Sequence, residues 1–166
     1  MKNRLLNIII ALALIPAWAA AEPAQTAPVV TGLELVQAAR KEIRELDVAD
    51  TRQWLAEGET VILDVREPNE YAQGFIPGAV NIPRGMLEFR ISAIPQMRST
   101  DARVLVYCRS GHRGALAAQT LKRMGYTNVV SLKPGIDAWT ASGWPIEHPK
   151  SEAAGTQPCA KPGGAC

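Results

Sequence analysis

Four short runs of apolar, often β-branched residues recur along the chain, each set between segments rich in charges, glycine or proline. Runs this short with apolar residues at successive positions are typical of strands that are buried on both faces of a parallel sheet. The pattern predicts strands at residues 61–65 (VILDV), 79–83 (AVNIP), 104–108 (VLVYC) and 128–132 (NVVSL).

Between these runs, apolar residues recur at helical spacing. Thr31 and Glu34 have the spacing of a capping box, and the apolar positions from there onward predict one N-terminal helix over 31–47. A similar cap at Asp50 predicts a second short helix that Gly58 ends. Further helices are predicted at 67–73, 86–94, 114–124 and 134–142.

The alternation of strands and helices indicates an α/β protein with a mostly parallel sheet, because each parallel crossover needs a helix on a face of the sheet. The chain has 166 residues, of which 47% are hydrophobic, and this suits one domain with one core. We predict that the domain covers 48–148. The N-terminal helix precedes it, after a linker over 22–30 that is rich in alanine, proline and threonine.

Residues 1–21 have the pattern of a secretory signal peptide, in which Lys2 and Arg4 precede an apolar run and small residues that suit cleavage. Because the run is shorter than the about 20 residues of a membrane span, we expect cleavage, export to the periplasm or medium, and no stable membrane insertion; an uncleaved anchor is the alternative. Without these two cations, 16 basic residues balance 16 acidic ones. This balance gives no reason to expect nucleic acid as a partner.

The strand at 104–108 ends in Cys108, and the sequence RSGHR leads from it into the helix predicted at Gly114. Ligands of open α/β sheets bind beyond the carboxyl ends of the strands. Gly111 suits a tight turn whose amides form an anion nest, and the helix N-terminus and two arginines add positive charge. These surroundings favour a reactive thiolate, although Cys108 taken alone would suit a small buried residue that ends a strand.

Three separated motifs resemble the rhodanese family: DVREPNEYAQGFIPGAVNIP, VYCRSGHRG and GIDAWTASGWPIE. They occur in the family's order, and the resemblance covers about Val48 to Glu147. It implies a parallel five-stranded sheet flanked by helices and a catalytic cysteine, Cys108, that carries sulfur as a persulfide. Many members have histidine where this chain has Phe75 and glycine where it has Pro134; both positions lie outside the cysteine loop.

The resemblance implies a sulfurtransferase that moves a sulfane sulfur from thiosulfate or a similar donor to a thiophilic acceptor, such as cyanide or a thiol. Related phosphatases and arsenate reductases use Cys-x5-Arg to surround a tetrahedral oxyanion. This chain has Cys108-x4-Arg113, a tighter ring that suits a single sulfur atom. The alternatives are a periplasmic thiol redox or stress protein, a non-catalytic binding module and, ranked last, a phosphatase or arsenate reductase.

The residues that map onto the family's active-site loop are the candidate substrate-binding residues: Arg109, Ser110, Gly111, His112 and Arg113. Arg113 either donates into the loop or pairs with a nearby carboxylate such as Asp64. Arg109 either binds the donor or is solvated, and Ser110 either donates its hydroxyl or merely suits the turn. His112 either tunes donor binding or serves as a spacer.

Asp64 and Arg66 lie at the end of the predicted strand at 61–65 and are expected to brace the loop. The chain ends in a predicted flexible tail, 149–166, which contains Cys159 and Cys166. In an oxidising compartment these cysteines can pair as a disulfide and leave Cys108 free; alternatively, a tail thiol accepts sulfur from Cys108 or resolves its oxidised form. Two lone cysteines are too few ligands for a metal, and no cofactor is expected.

Overall fold

The structure is a computed structural model that describes residues 28–149. Within these residues, five parallel strands form a single sheet. The strand order is β1-β5-β4-β2-β3. The bounds are β1 Arg44–Leu46, β2 Val61–Asp64, β3 Val80–Asn81, β4 Val104–Tyr107 and β5 Val129–Leu132. The predicted α/β class and the five-stranded parallel sheet are confirmed. Because β4 is the central strand, its carboxyl end lies in the middle of one edge of the sheet.

Six α-helices connect and cover the strands within the described residues. Their bounds are α1 Gly32–Glu42, α2 Val48–Ala56, α3 Pro68–Tyr71, α4 Leu87–Arg90, α5 His112–Arg123 and α6 Ile136–Ala141. Short 3-10 turns occupy Arg84–Met86, Ile91–Ala93 and Pro95–Arg98. The helix predicted over 86–94 is therefore wrong in part, since α4 is one turn long and continues as 3-10 structure.

The single helix predicted over 31–47 is wrong at its C-terminal end. α1 ends at Glu42, and Ile43 has an extended backbone with φ −112° and ψ 165°. The next three residues form β1, whose register pairs Arg44 with Val130 of β5. The amide of Lys133 also donates to the carbonyl of Leu46 at 2.8 Å. Hydrogen bonding to the edge of the sheet thus outweighs the helical spacing of the side chains.

Two helix starts also differ from their predictions. The side chain of Asp47, rather than Asp50, caps α2 by accepting the amide of Asp50 at 2.8 Å. Both residues are good caps, and the end of β1 at Leu46 places Asp47 first. α5 begins at His112, two residues before the predicted start, directly after Gly111.

The three inner strands, β2, β4 and β5, are buried on both faces, as their apolar runs predict. The edge strands β1 and β3 are partly exposed, although the run at 79–83 predicted a buried strand. On one face Leu63, Val104 and Val106 pack with helix α5 through Leu121. On the other face the apolar side chains pack with two tryptophans, Trp54 and Trp139. Helix α1 packs against α5 and buries Val36 and Ala39, so it adds to the layer of helices beside the cysteine loop.

Several predictions lie outside the described residues. These are the signal peptide at 1–21, the linker up to residue 27, and the tail from residue 150 with Cys159 and Cys166. Within residues 28–149, no helix has both the length and the apolar character that crossing a membrane requires.

Candidate active site

Cys108 lies one residue beyond the central strand β4, at the start of the loop that leads into α5. Gly111 caps that helix with φ +90°, a left-handed conformation that favours glycine. This turn brings the amide of Gly111 to the cysteine, and the amide donates to Cys108 Sγ at 3.2 Å. Cys108 is 1% exposed, so its sulfur meets apolar side chains on one side and the loop amides on the other.

The other amides of the loop are free for a ligand. Within the part of the chain that the structure describes, the amides of Arg109, Ser110, His112 and Arg113 donate to no other residue. They belong to the turn and to the first turn of α5, a helix of 12 residues. Together with the helix dipole they form a cradle for negative charge beside the cysteine sulfur.

The loop is held in place by the segment that follows β5. The amide of Ile136 donates to the carbonyl of Cys108 at 2.9 Å, and the amide of Asp137 donates to the carbonyl of Arg109 at 3.2 Å. This close approach needs Gly135, which has φ +95° and whose missing Cβ would lie 2.6 Å from the Cys108 carbonyl oxygen. The main chain between β5 and α6 therefore fixes the shape of the cysteine loop.

Arg113 pairs with Glu70 in α3, so the predicted alternative of a pairing with a nearby carboxylate is confirmed, although the partner is Glu70 and not Asp64. Its guanidinium makes two contacts, Nη1 to Oε2 at 2.6 Å and Nη2 to Oε1 at 2.8 Å. The predicted partner Asp64 is already bound by Arg66. The hydrogen bonds from Arg113 lower the pKa of Glu70 to about 2, and Glu70 in turn raises the pKa of Arg113. The pair thus remains charged at any working pH.

Asp64 and Arg66 form a buried ion pair below this layer. Arg66 Nη2 lies 2.6 Å from Asp64 Oδ2, and the two side chains are 7% and 0% exposed. The same Nη2 donates to the carbonyl of Gly74 at 2.7 Å. The pair therefore fixes the segment that follows α3, and its contacts run to Gly74 rather than to the cysteine loop itself.

Arg109, Ser110 and His112 are the exposed members of the loop. The side chain of Arg109 is 69% exposed, and its Nε lies 3.3 Å from Asp137 Oδ2. Ser110 Oγ lies 3.4 Å from His112 Nδ1. Arg109 is thus held by one long contact, in contrast to the bidentate pairing of Arg113.

A polar cavity of about 150 Å³ opens beside the loop, lined by Arg66, Glu70, Gln73, Arg109 and Asp137. Sequence analysis did not select Glu70, Gln73 or Asp137. A signal was present: Glu70 and Asp137 lie in two of the motifs quoted above, after strands β2 and β5 that flank β4. Residues that follow neighbouring parallel strands meet at the same edge of the sheet.

An apolar cavity of about 360 Å³ lies on the opposite side of the loop, between α1 and α5, and is lined in part by Leu33, Val36 and Leu116. His112 and Arg113 also line it, so α1 flanks the cysteine loop. Among residues 28–149, no group of three or more histidine, cysteine, aspartate or glutamate side chains is arranged to hold a metal ion.

Comparison with known proteins agrees with this geometry. The family model of the rhodanese-like domain matches residues 47–142, and the chain belongs to this family. A sulfurtransferase from Allochromatium vinosum is 41% identical over 109 residues, which cover 65% of this chain and 98% of that protein.

Two solved structures are similar to this chain. A protein of unknown function from Rhodopseudomonas palustris, described as a possible tyrosine phosphatase, is 33% identical with a TM-score of 0.65, over 73% of this chain and 97% of that one. The thiosulfate sulfurtransferase of Pseudomonas aeruginosa is 31% identical with a TM-score of 0.60, over 69% of this chain and 22% of that one.

Proposed function

We propose that this protein is a sulfurtransferase that takes a sulfane sulfur from thiosulfate or a similar donor, carries it on Cys108 and passes it to a thiophilic acceptor. The observation that carries the proposal is the cradle at Cys108: the Gly111 amide donates to Sγ at 3.2 Å, next to loop amides that have no partner among residues 28–149. The sulfurtransferase relatives support the same class of reaction.

In the first stage, the Cys108 thiolate attacks the outer sulfur of thiosulfate. A sulfur–sulfur bond forms to Cys108 as the bond within thiosulfate breaks, and sulfite leaves with the electron pair. The product is an anionic persulfide on Cys108. The Gly111 amide, which already donates to Cys108 Sγ, stabilises this charge together with its neighbouring loop amides.

In the second stage, the acceptor attacks the terminal sulfur of the persulfide. Cyanide leaves as thiocyanate, or a thiolate leaves as a persulfide, and Cys108 is regenerated as the thiolate. Each stage conserves atoms and electrons, so the cycle needs no cofactor or redox partner. Two separate stages on one nucleophile predict ping-pong kinetics.

The same geometry argues against phosphate or arsenate chemistry. An oxyanion site needs a guanidinium fork that faces the bound group, and the fork formed by the two Nη atoms of Arg113 faces Glu70. The loop is also one residue shorter than the Cys-x5-Arg ring. Because one of the similar structures is described as a possible tyrosine phosphatase, the test below also measures phosphatase activity.

The test is the intact mass of the purified protein after incubation with thiosulfate. We expect a gain of one sulfur atom on the Cys108 peptide, its loss on addition of cyanide, and formation of thiocyanate. The Cys108→Ser variant is expected to show neither. Thiocyanate formation by that variant, or hydrolysis of p-nitrophenyl phosphate without any persulfide, would overturn the proposal.

Export remains part of the proposal, on the evidence of residues 1–21. We expect the mature protein to begin near Glu22 and to be recovered from the periplasm or medium. The intact mass locates the cleavage site, and a chain that retains residue 1 supports the uncleaved anchor. The non-reduced mass also separates a Cys159–Cys166 disulfide from a tail thiol that forms a mixed species with Cys108 during turnover.

A further inference from the structure

The three arginines around Cys108 each face a carboxylate, so the entrance is electrically balanced. Arg66 faces Asp64, Arg113 faces Glu70 and Arg109 faces Asp137. An entrance built only to attract a dianion would leave some of this positive charge unpaired. The sequence predicted that the two loop arginines add positive charge, and the structure adds a carboxylate partner for each of them.

The three pairs differ in how firmly the arginine is held. The Arg66 pair is buried, and the Arg113 pair is bidentate with side chains 33% and 25% exposed. The Arg109 pair is a single 3.3 Å contact between side chains that are 69% and 59% exposed. Exposed pairs of this kind are weak, so Arg109 is the one of the three that can exchange its carboxylate for an anionic donor.

The negative charge of Asp137 lies at a position where it opposes the binding of an anionic donor. Asp137 lines the polar cavity together with Arg109, and its own backbone amide is bound to the Arg109 carbonyl. The side chain of Asp137 therefore lies close to any anion that Arg109 binds in this cavity. It lowers donor affinity in two ways, by competing for the guanidinium and by repelling negative charge.

We propose that Asp137 sets the charge specificity of the donor site: it acts through Arg109 to weaken the binding of doubly charged donors relative to singly charged ones. Asp137 is a positioning residue in this scheme and takes no part in the transfer of sulfur. The inference rests on the proposed sulfurtransferase activity.

The test compares two donors, thiosulfate with two negative charges and methanethiosulfonate with one, in the Asp137→Asn variant. We expect KM for thiosulfate to fall about threefold to fivefold at low ionic strength, with a smaller fall for methanethiosulfonate and little change in kcat. The difference between the variants should shrink as salt is added. A residue with a merely structural role would not change KM according to the charge of the donor.

Three further variants make the result specific. Asp137→Glu keeps the charge and should restore a KM near that of the wild type. Arg109→Gln should raise KM for thiosulfate and reduce the effect of a second Asp137→Asn change. Glu57→Gln is the matched control, because it removes a carboxylate from another exposed pair, with Arg103 at 3.4 Å. Arg103 directly precedes β4, at the opposite end of this strand from Cys108, so this change should leave KM unchanged.

The two proposals fail in different ways. If the wild type forms no persulfide and no thiocyanate, the proposed function is wrong. If the wild type is active but Asp137→Asn leaves KM unchanged, lowers it equally for both donors, or matches Glu57→Gln, the role of Asp137 alone is wrong.

Discussion

Arg109 and Arg113 flank the same turn of the cysteine loop, four positions apart, yet the fold treats them differently. Arg113 is fixed by two short contacts to Glu70, whereas Arg109 has one long contact to Asp137 and is mostly exposed. The difference follows from depth, because Arg113 lies in the first turn of α5, which packs on the sheet, and Arg109 lies at the surface. One arginine therefore maintains the architecture of the loop, and the other is available to a substrate.

The largest effect on stability is expected at the Asp64–Arg66 pair, which is more deeply buried than the pairs of Arg113 and Arg109. Asp64→Asn leaves the Arg66 guanidinium buried beside a neutral amide, which typically costs about 3–5 kcal/mol. Urea unfolding measures the loss. The double change Asp64→Asn with Arg66→Met removes the stranded charge and should recover part of the stability; if it recovers none, the pair is not the cause.

The next effect tests whether main-chain geometry, rather than charge, holds the loop. Gly135→Ala places a Cβ against the carbonyls of Cys108 and Arg109 at φ +95°, and we expect a loss of about 2–3 kcal/mol with a marked loss of sulfur transfer. Gly125→Ala is the matched control, since Gly125 has φ +99° with nothing within 4 Å. It should lose only the backbone part, about 1 kcal/mol. Equal losses in both would show that the contact with the loop is unimportant.

An intermediate effect is expected at Glu70. Glu70→Gln weakens the bidentate pair with Arg113, at a cost of about 1 kcal/mol at low salt. Because folding lowers the pKa of Glu70 from 4.5 to about 2, its stabilisation is fully present above pH 4.5 and is lost as the pH falls toward 2. Urea unfolding of both proteins across this range should show the wild-type advantage disappear in acid. An advantage that is undiminished at pH 2 would contradict the pairing.

The smallest effect on stability is expected at Arg109. Removing its exposed contact in Arg109→Gln should change the free energy of unfolding by less than about 0.5 kcal/mol. KM for thiosulfate should nevertheless rise, because the available cation has been lost. A large loss of stability without a change in KM would reverse the roles assigned to the two arginines.

Sequence alone predicted the parts of the fold that depend on strong local patterns. The runs at β2, β4 and β5 are apolar and β-branched, and the turn at Gly111 needed a residue that tolerates positive φ. β1 was missed because Arg44–Leu46 is a short edge strand with a charged sequence, and Ile43 and Leu46 also fit a helix. Its pairing with β5 comes from residues more than 80 positions away, which no local pattern contains.

The candidate site was predicted as a loop but not as a set of pairs. Cys108 and its glycine turn follow from the end of a strand and the start of a helix. The partner of Arg113 does not follow in this way, because Asp64 and Glu70 both lie near the end of β2 in sequence. Only the packed structure shows that Arg66 is hydrogen-bonded to Asp64, which leaves Glu70 as the partner. Asp137 reaches the site through the segment between β5 and α6, whose close approach to the loop depends on Gly135.

The backbone amides of Ile136 and Asp137 hold the cysteine loop through hydrogen bonds to its main-chain carbonyl oxygens. Such attachment is indifferent to side-chain identity, so residues 109, 110 and 112 can be exchanged while the cysteine keeps its setting. The scaffold thus separates what must stay constant from what can vary, and a small library at those three positions would be a natural starting point for new donor preferences.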